Sequence, residues 1–176
     1  VCEHLHLPVQ SGDDAVLRRM GRQYTIGHYL ERVERLRAAV PDLALSTDVI
    51  VGFCGETSAQ FEATLELLRT VRYDQVFAAA YSERPGTAAT KLADDVPPEE
   101  KRRRLNELLR VQEAIGLERN RAWLGRVVEV LVDEVVPPRS HDHEPMGEGS
   151  RPPRPTPGEV ALAGRTRQNK LVHFSG

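Results

Sequence analysis

A short apolar run gives way to a stretch of helical periodicity again and again through residues 1–125, and this alternation constrains the fold more than any other feature. The clearest run covers 43–53. Its middle, Val49-Ile50-Val51, is continuous and β-branched, as in a parallel strand buried on both faces. The run at 4–9 alternates Leu5 and Leu7 with His4 and His6, and a third run covers 75–81; such short runs read as strands. Helices are expected at 14–20, at 26–40, after Thr57 and from 98 to about 124. Tyr29, Val33, Leu36 and Val40 mark one face of the second, and Phe61, Leu65, Leu68 and Val71 one face of the third. Thr57 and Gln60 have capping-box spacing. Pro97-Pro98-Glu99-Glu100 is a helix start with proline and acids in the first turn. Leu105, Leu108, Gln112 and Ile115 give that helix its packing face, and Gly125 ends it.

Repeated strand–helix alternation predicts right-handed βαβ units and a parallel sheet. Three strands are too few to close a barrel, so the expectation is a partial (β/α) barrel completed by residues outside this chain. The start at Val1, without methionine, reads in the same way as a cut within a larger protein. After Gly125 the composition changes. Residues 127–136 alternate as a strand. Residues 137–158 hold seven prolines and few apolar residues, so a disordered or extended insertion is expected there. Short strands return at 160–162 and 171–174. The division expected is therefore 1–124, an α/β unit, and 125–176, a small antiparallel β-barrel with a long insertion.

The 24 Lys and Arg against 26 Asp and Glu leave a net charge of −2, so any nucleic-acid footprint must be local. No stretch is long and apolar enough for a membrane span. Cys2 and Cys54 are the only cysteines. Such sparse usage fits a reduced, cytoplasmic setting, and neither belongs to a close-spaced ligand cluster. His4 and His6 could share a metal by strand spacing, but packing or hydrogen bonding is the reading preferred. No metal site and no catalytic residue are assigned within the chain.

In a parallel sheet, functional residues gather at the carboxyl ends of the strands. Gln10-Ser11-Gly12, Gly52-Phe53-Cys54-Gly55-Glu56 and Ser82-Glu83-Arg84-Pro85-Gly86-Thr87 all fall there. Each offers backbone N–H groups, a glycine and hydroxyl or amide side chains, which suit a polar cofactor with ribose and charged ends. A glycine after a strand is more often only a turn; three successive strand ends of this kind favour a site.

These same residues resemble a known family. His6-Leu7-Pro8-Val9-Gln10-Ser11-Gly12, Met20-Gly21-Arg22-Gln23-Tyr24-Thr25, Asp48 through Thr57, and Tyr81 through Thr87 look like the later strands and loops of the radical-SAM methylthiotransferases. Gly164 through Phe174 resembles the TRAM domain that closes those enzymes. The motifs run in order over nearly the whole chain, the proline-rich insertion excepted. The His-Leu-Pro-Val-Gln-Ser and Arg-Pro-Gly-Thr forms look most like the MiaB type. Cys54 departs from the family pattern, which usually has proline there.

The resemblance implies 2-methylthio addition to N6-isopentenyladenosine next to the tRNA anticodon. It implies S-adenosylmethionine and two 4Fe–4S clusters in the full-length protein, with the cluster ligands outside this chain. On that reading one cluster cleaves S-adenosylmethionine to a 5′-deoxyadenosyl radical, and this chain supplies orientation. Gln10 and Ser11 are expected at the cofactor ribose and Arg22 at its carboxylate. Ile50, Gly52 and Phe53 are expected to border the adenine, with Ser82 and Arg84 at the barrel mouth. The structural alternatives stand beside these roles: Ser11 as a helix cap, Arg22 in a surface ion pair, Phe53 in the core. Arg165, Arg167 and Lys170 give the C-terminal end a basic edge, with Asn169 in its turn, and are expected to contact RNA. The basic run Lys101-Arg102-Arg103-Arg104 reads as a solvated helix face before it reads as an RNA contact.

The partners implied are the tRNA anticodon stem-loop and a reductant protein for the cluster, with no membrane association and a monomeric chain. Competing readings are a non-catalytic RNA-binding remnant, a sister methylthiotransferase acting on threonylcarbamoyladenosine, and an ordinary (β/α) barrel enzyme with a phosphorylated ligand. The isolated chain is expected to be inactive.

Overall fold

A computed structural model of the chain describes residues 2–135 and 160–175. The expectation for 137–158 lies outside the described residues. The chain divides into two compact units, Leu5–Gly125 and Val1–His4 with Arg126–Gly176.

The first unit is mixed α/β. Its strands are β1 (His4–His6), whose first residue falls on the other side of the division, β2 (Ala44–Val51) and β3 (Gln75–Ala80). Its helices are α1 (Asp14–Arg19), α2 (Ile26–Ala39), α3 (Ser58–Val71) and α4 (Pro98–Arg121), with a 3₁₀ turn at Ala88–Lys91. The sheet order is β1-β2-β3, and β2 pairs with β3 in parallel, Asp48 opposite Phe77 and Ile50 opposite Ala79. The strand expected at 4–9 is shorter than its pattern. Pro8 has no N–H to give the ladder. The Val9 N–H turns instead to the Thr47 hydroxyl at 2.9 Å, and pairing resumes only as a parallel bridge between Gln10 and Val49.

Helices cover one face of this sheet. Leu45, Val49, Val51 and Val76 pack with Phe61, Leu65 and Leu68 of α3 and with Leu108 and Ile115 of α4 in one buried core. Two tyrosines tie α2 to that core: the Tyr73 hydroxyl donates to Tyr29 at 2.9 Å, and the Tyr29 hydroxyl to the Leu7 carbonyl at 2.9 Å. The β-branched run of β2 predicts burial on both faces, but Asp48 and Ile50 are only half-buried. Branched side chains favour a strand without revealing what covers it.

α3 opens on the capping box expected: the Thr57 hydroxyl and the Gln60 side chain each accept the other's backbone N–H. α4 ends at Arg121, short of the length expected, and is about 36 Å long at ~1.5 Å per residue.

Gly12 is where the loop after β1 meets α3. A Cβ there would lie 2.5 Å from the Ala63 carbonyl oxygen and from the Thr64 Cα, both backbone atoms that cannot swing away. Its N–H donates to the Thr64 hydroxyl at 2.9 Å.

The second unit holds β4 (Val130–Val135), β5 (Ala161–Thr166) and β6 (Leu171–Ser175). They form an antiparallel sheet in the order β4-β5-β6, with an irregularity in register between Val132 and Glu134. Gly164 permits the close approach of β4: a Cβ there would lie 2.4 Å from the Leu131 carbonyl oxygen. The described strands make an open sheet, where the sequence predicts a closed barrel.

Gly12→Ala is expected to destabilise the protein by roughly 1–3 kcal/mol through backbone displacement. Gly116→Ala, in α4 with open space around the site, is expected to stabilise by about 0.5–1 kcal/mol. Urea unfolding of the two variants checks both signs.

Candidate functional site at the strand tips

Parallel pairing brings the carboxyl ends of the three strands to one edge of the sheet. Gln10 follows β1 and lies level with Val49. Gly52 follows β2. The Tyr81 N–H donates to the Val51 carbonyl at 2.8 Å, which sets Ser82 just beyond the end of β3.

Gln10 is nearly buried and adopts a left-handed backbone, φ 71°. Residues other than glycine enter that region at a cost, and such positions cluster at ligand sites. Its backbone is fully used, donating to Asp48 and accepting from Ile50. Its side-chain amide takes no hydrogen bond among the described residues. Ser11 is fully buried. Its hydroxyl lies 3.4 Å from that of Thr64 and accepts the Asp13 N–H at 3.3 Å, beside the Asp13 carboxylate that caps α1. The structure therefore gives Ser11 a bracing part in the loop. Arg22 is exposed, and its backbone N–H donates to Leu17 at the end of α1; its guanidinium takes no ion pair among the described residues.

After β2, Ile50 is half-buried, and Gly52 is buried with φ 69°. Phe53 faces inward in a small cluster with Val16 and Cys54. Its ring meets Tyr81 edge-on at 4.9 Å between centroids. After β3, Ser82 and Arg84 are both exposed, and neither side chain takes a hydrogen bond or ion pair among the described residues. The Thr87 hydroxyl closes this loop by donating to the Arg84 carbonyl at 2.9 Å.

Two basic residues of α4 hold these tips, and they correct the reading of 101–104 as a solvated face. Arg102 and Arg103 are exposed, whereas Lys101 and Arg104 are buried. Arg104 Nη1 donates to both the carbonyl and Oε2 of Glu56 at 2.8 Å, and its Nε to Glu100 at 2.8 Å. Glu56 Oε2 also accepts the Gly52 N–H at 2.7 Å. Lys101 donates to both carboxylate oxygens of Asp94 at 2.6 Å and to the Tyr81 carbonyl at 3.3 Å. Its stem fills the space beside Gly52, where a Cβ would lie 2.4 Å from Lys101 Cγ. A neighbouring carboxylate, Asp95, accepts the Gly55 N–H at 2.6 Å.

Burial pushes the Glu56 carboxyl up from its ordinary value, against the lowering effects of the Gly52 N–H and Arg104. Hydrogen bonds from Arg103, then Arg104, hold Glu100 down to about 2. Sequence reasoning missed this clamp. The one available hint is that Lys101 and Arg104 share a helix face with Leu108, Gln112 and Ile115.

In the second unit, the four residues expected to meet RNA cluster around one turn: Arg165 lies near the end of β5, and Arg167, Asn169 and Lys170 lie in the loop to β6. Asn169 takes a left-handed turn, φ 61°. Arg165 Nη1 donates to the Asn169 carbonyl at 3.2 Å. Arg167 pairs with Glu129 at 2.7 Å, which partly neutralises it. The loop is tied to the chain's start: the Glu3 N–H donates to the Arg167 carbonyl, and Gln168 to the Glu3 carboxylate at 2.7 Å.

Among the described residues, no three His, Cys, Asp or Glu side chains gather as a metal site, and no helix is long and apolar enough to cross a membrane.

Comparison with known proteins first gives a class. Residues 1–68 match the family model of the Radical SAM superfamily. It then gives individual relatives. Over its full 176 residues the chain is 46% identical to 36% of the tRNA-2-methylthio-N(6)-dimethylallyladenosine synthase of Carboxydothermus hydrogenoformans. It is 46% identical over 175 residues to the protein of that name from Chlorobium luteolum, covering 99% of this chain and 35% of the relative. Against the one from Thermus thermophilus it is 52% identical over 132 residues, 75% of this chain and 28% of the relative. The chain thus spans about a third of the length of the curated relatives it matches.

Arg104→Met is expected to cost about 3–5 kcal/mol, because it leaves the Glu56 carboxylate buried without its counter-ion. Arg103→Ala, on the exposed side of the same helix, is expected to leave stability nearly unchanged, because its ion pairs are exposed to water. Chemical denaturation of the two variants should separate them clearly.

Proposed function

We propose that this chain is part of a radical-SAM tRNA methylthiotransferase, the part that cradles the cofactor and meets the RNA. The observation that carries the proposal is the gathering of three polar strand tips on one sheet edge, in a chain similar throughout to synthases of that name. On this reading the whole protein adds a 2-methylthio group to N6-isopentenyladenosine beside the tRNA anticodon.

The residues at the tips fit S-adenosylmethionine. Gln10 offers a side-chain amide from a strained backbone, and Ser82 and Arg84 offer an exposed hydroxyl and guanidinium without partners among the described residues. Such groups hydrogen-bond ribose hydroxyls and pair with a carboxylate. Ile50 and the backbone of Gly52 would border the adenine. Phe53 is turned into its cluster, so its part would be to shape the loop. Ser11 would hold that of Gln10's loop. Arg22 is free of ion pairs among the described residues and remains the candidate for the cofactor's carboxylate. With its iron–sulfur clusters, bound by cysteines outside this chain, the cofactor supplies the radical chemistry. This chain's residues bind, orient and exclude water.

The second unit is proposed as a TRAM-like RNA-binding domain spanning 125–176, with 1–124 as the barrel segment. Arg165 and Lys170 would contact phosphates of the anticodon stem-loop, with Asn169 presenting the turn. Arg167 would first have to leave Glu129. A cytoplasmic enzyme, monomeric and served by a reductant protein, completes the proposal.

The full-length protein, purified without oxygen and with its clusters reconstituted, is expected to form the methylthio product from isopentenylated tRNA, S-adenosylmethionine and reductant. The present chain alone is expected to form none. Product only with threonylcarbamoylated tRNA would point to the sister activity, and none with either to an RNA-binding remnant. Arg165→Ala is expected to weaken tRNA binding and to reduce the salt slope by about 1, as read from affinities at several salt concentrations.

A further inference from the structure

The face of the β1-β2-β3 sheet that the helices leave uncovered has a chemistry that barrel packing does not account for. Closed (β/α) barrels fill their interior with layers of branched apolar side chains. Here the strand residues on that face include His6, Ser46 and Asp48, with Phe77 opposite Asp48 in register. His6 Nδ1 lies 2.9 Å from Ser46 Oγ, and His6 Nε2 lies 3.3 Å from Asp48 Oδ2. The imidazole meets the Phe77 ring near edge-on, 5.8 Å between centroids and 68° between planes.

Phe77 is nevertheless 52% exposed, a large apolar residue on a polar face. Side chains two residues apart share a face of a strand. The next layer toward the tips is therefore Ile50 opposite Ala79, so above Phe77 the strand β3 carries only a methyl group. Asp48 Oδ1 takes no hydrogen bond among the described residues.

A carboxylate and an imidazole alone would be an ordinary surface pair, and a phenyl ring alone an unfilled piece of core. Together they suit a flat heterocycle with a donor on its edge. The ring can stack on Phe77, and an exocyclic N–H can reach the Asp48 carboxylate that His6 holds in place. Proteins that act on a nucleobase read it in this manner, by stacking and by hydrogen bonds to its edge.

We propose that Phe77, His6 and Asp48 form the subsite for the adenine ring of the RNA nucleotide, one layer, or roughly 7 Å, below the cofactor-binding tips. This rests on the function proposed above. Phe77 is the stacking platform, Asp48 accepts from the N6 amine, and His6 is a positioning residue braced by Ser46.

The test uses the full-length protein with its clusters in place. Binding is measured by fluorescence anisotropy to two anticodon stem-loop RNAs, one with N6-isopentenyladenosine at the target position and one abasic there. The wild type should prefer the first. Phe77→Ala and Phe77→Leu should each lower that preference about tenfold, within the range for loss of a base–aromatic stack. Phe77→Trp should retain it, and Asp48→Asn should lower it in part. S-adenosylmethionine affinity, by equilibrium dialysis, should stay within about twofold throughout. Phe77→Leu keeps apolar bulk and decides the matter if Phe77→Ala does not fold.

A preference that survives both substitutions overturns the subsite while leaving the proposed function intact. A matching loss of S-adenosylmethionine affinity assigns the platform to the cofactor and also overturns it. A wild type with no preference removes the proposed substrate, and the subsite with it.

Discussion

The buried ion pair between Arg104 and Glu56 is the constraint on which the arrangement of the strand tips depends. Arg104 reaches from α4 to a carboxylate that in turn accepts the Gly52 N–H. One charge pair thus fixes the exit of the central strand to a helix almost fifty residues further on. Charges removed from water this far remain only where geometry and hydrogen bonds compensate for lost hydration. Glu100 provides part of that compensation on the arginine side. Lys101, three residues before Arg104, does the same for the exit of β3 through the Tyr81 carbonyl, and for the following loop through Asp94. Neighbouring tips are therefore positioned by one helix rather than by separate loop conformations.

That design divides the sheet's two faces by task. The covered face is apolar apart from the hydrogen-bonded Thr47, runs from Leu45 through Val51 to α3 and α4, and gives the unit its stability. The tips carry polar side chains that take no hydrogen bond or ion pair among the described residues: the Gln10 amide, the Ser82 hydroxyl and the Arg84 guanidinium. Rigid elements beneath and unsatisfied groups above are what a preorganised ligand site requires. Gln10 shows the same principle at a single residue. Its backbone hydrogen bonds to both Asp48 and Ile50 hold it in a left-handed conformation that it would not choose alone.

Much of this was legible in the sequence because it is written in local patterns. The β-branched run marked β2, Thr57 and Gln60 marked the start of α3, and Tyr29 and Val33 marked the buried face of α2. The strand-end positions of Gln10, Gly52 and Ser82 followed from the same alternation. What was not legible depends on partners distant in the chain. Nothing near Lys101 and Arg104 announces Asp94 and Glu56 as their counter-ions, so on sequence alone the basic run reads as a solvated face. For Ser11 and Phe53 the sequence leaves a ligand-facing and a structural part side by side, and only the folded chain shows Thr64 and Tyr81 drawing them inward. Pro8 was visible, but its effect on β1 required knowing that the Thr47 hydroxyl could receive the displaced Val9 N–H.

The central claim is that the three strand tips form one wall of a nucleoside-cofactor pocket. The most direct measurement is a crystal structure of the full-length, cluster-reconstituted protein with S-adenosylmethionine bound. The cofactor's polar groups are expected within hydrogen-bonding distance of Gln10 and of at least one of Ser82 and Arg84, with its adenine against Ile50 and Gly52. A cofactor bound away from these tips, with Gln10 facing solvent or packed protein, would contradict it.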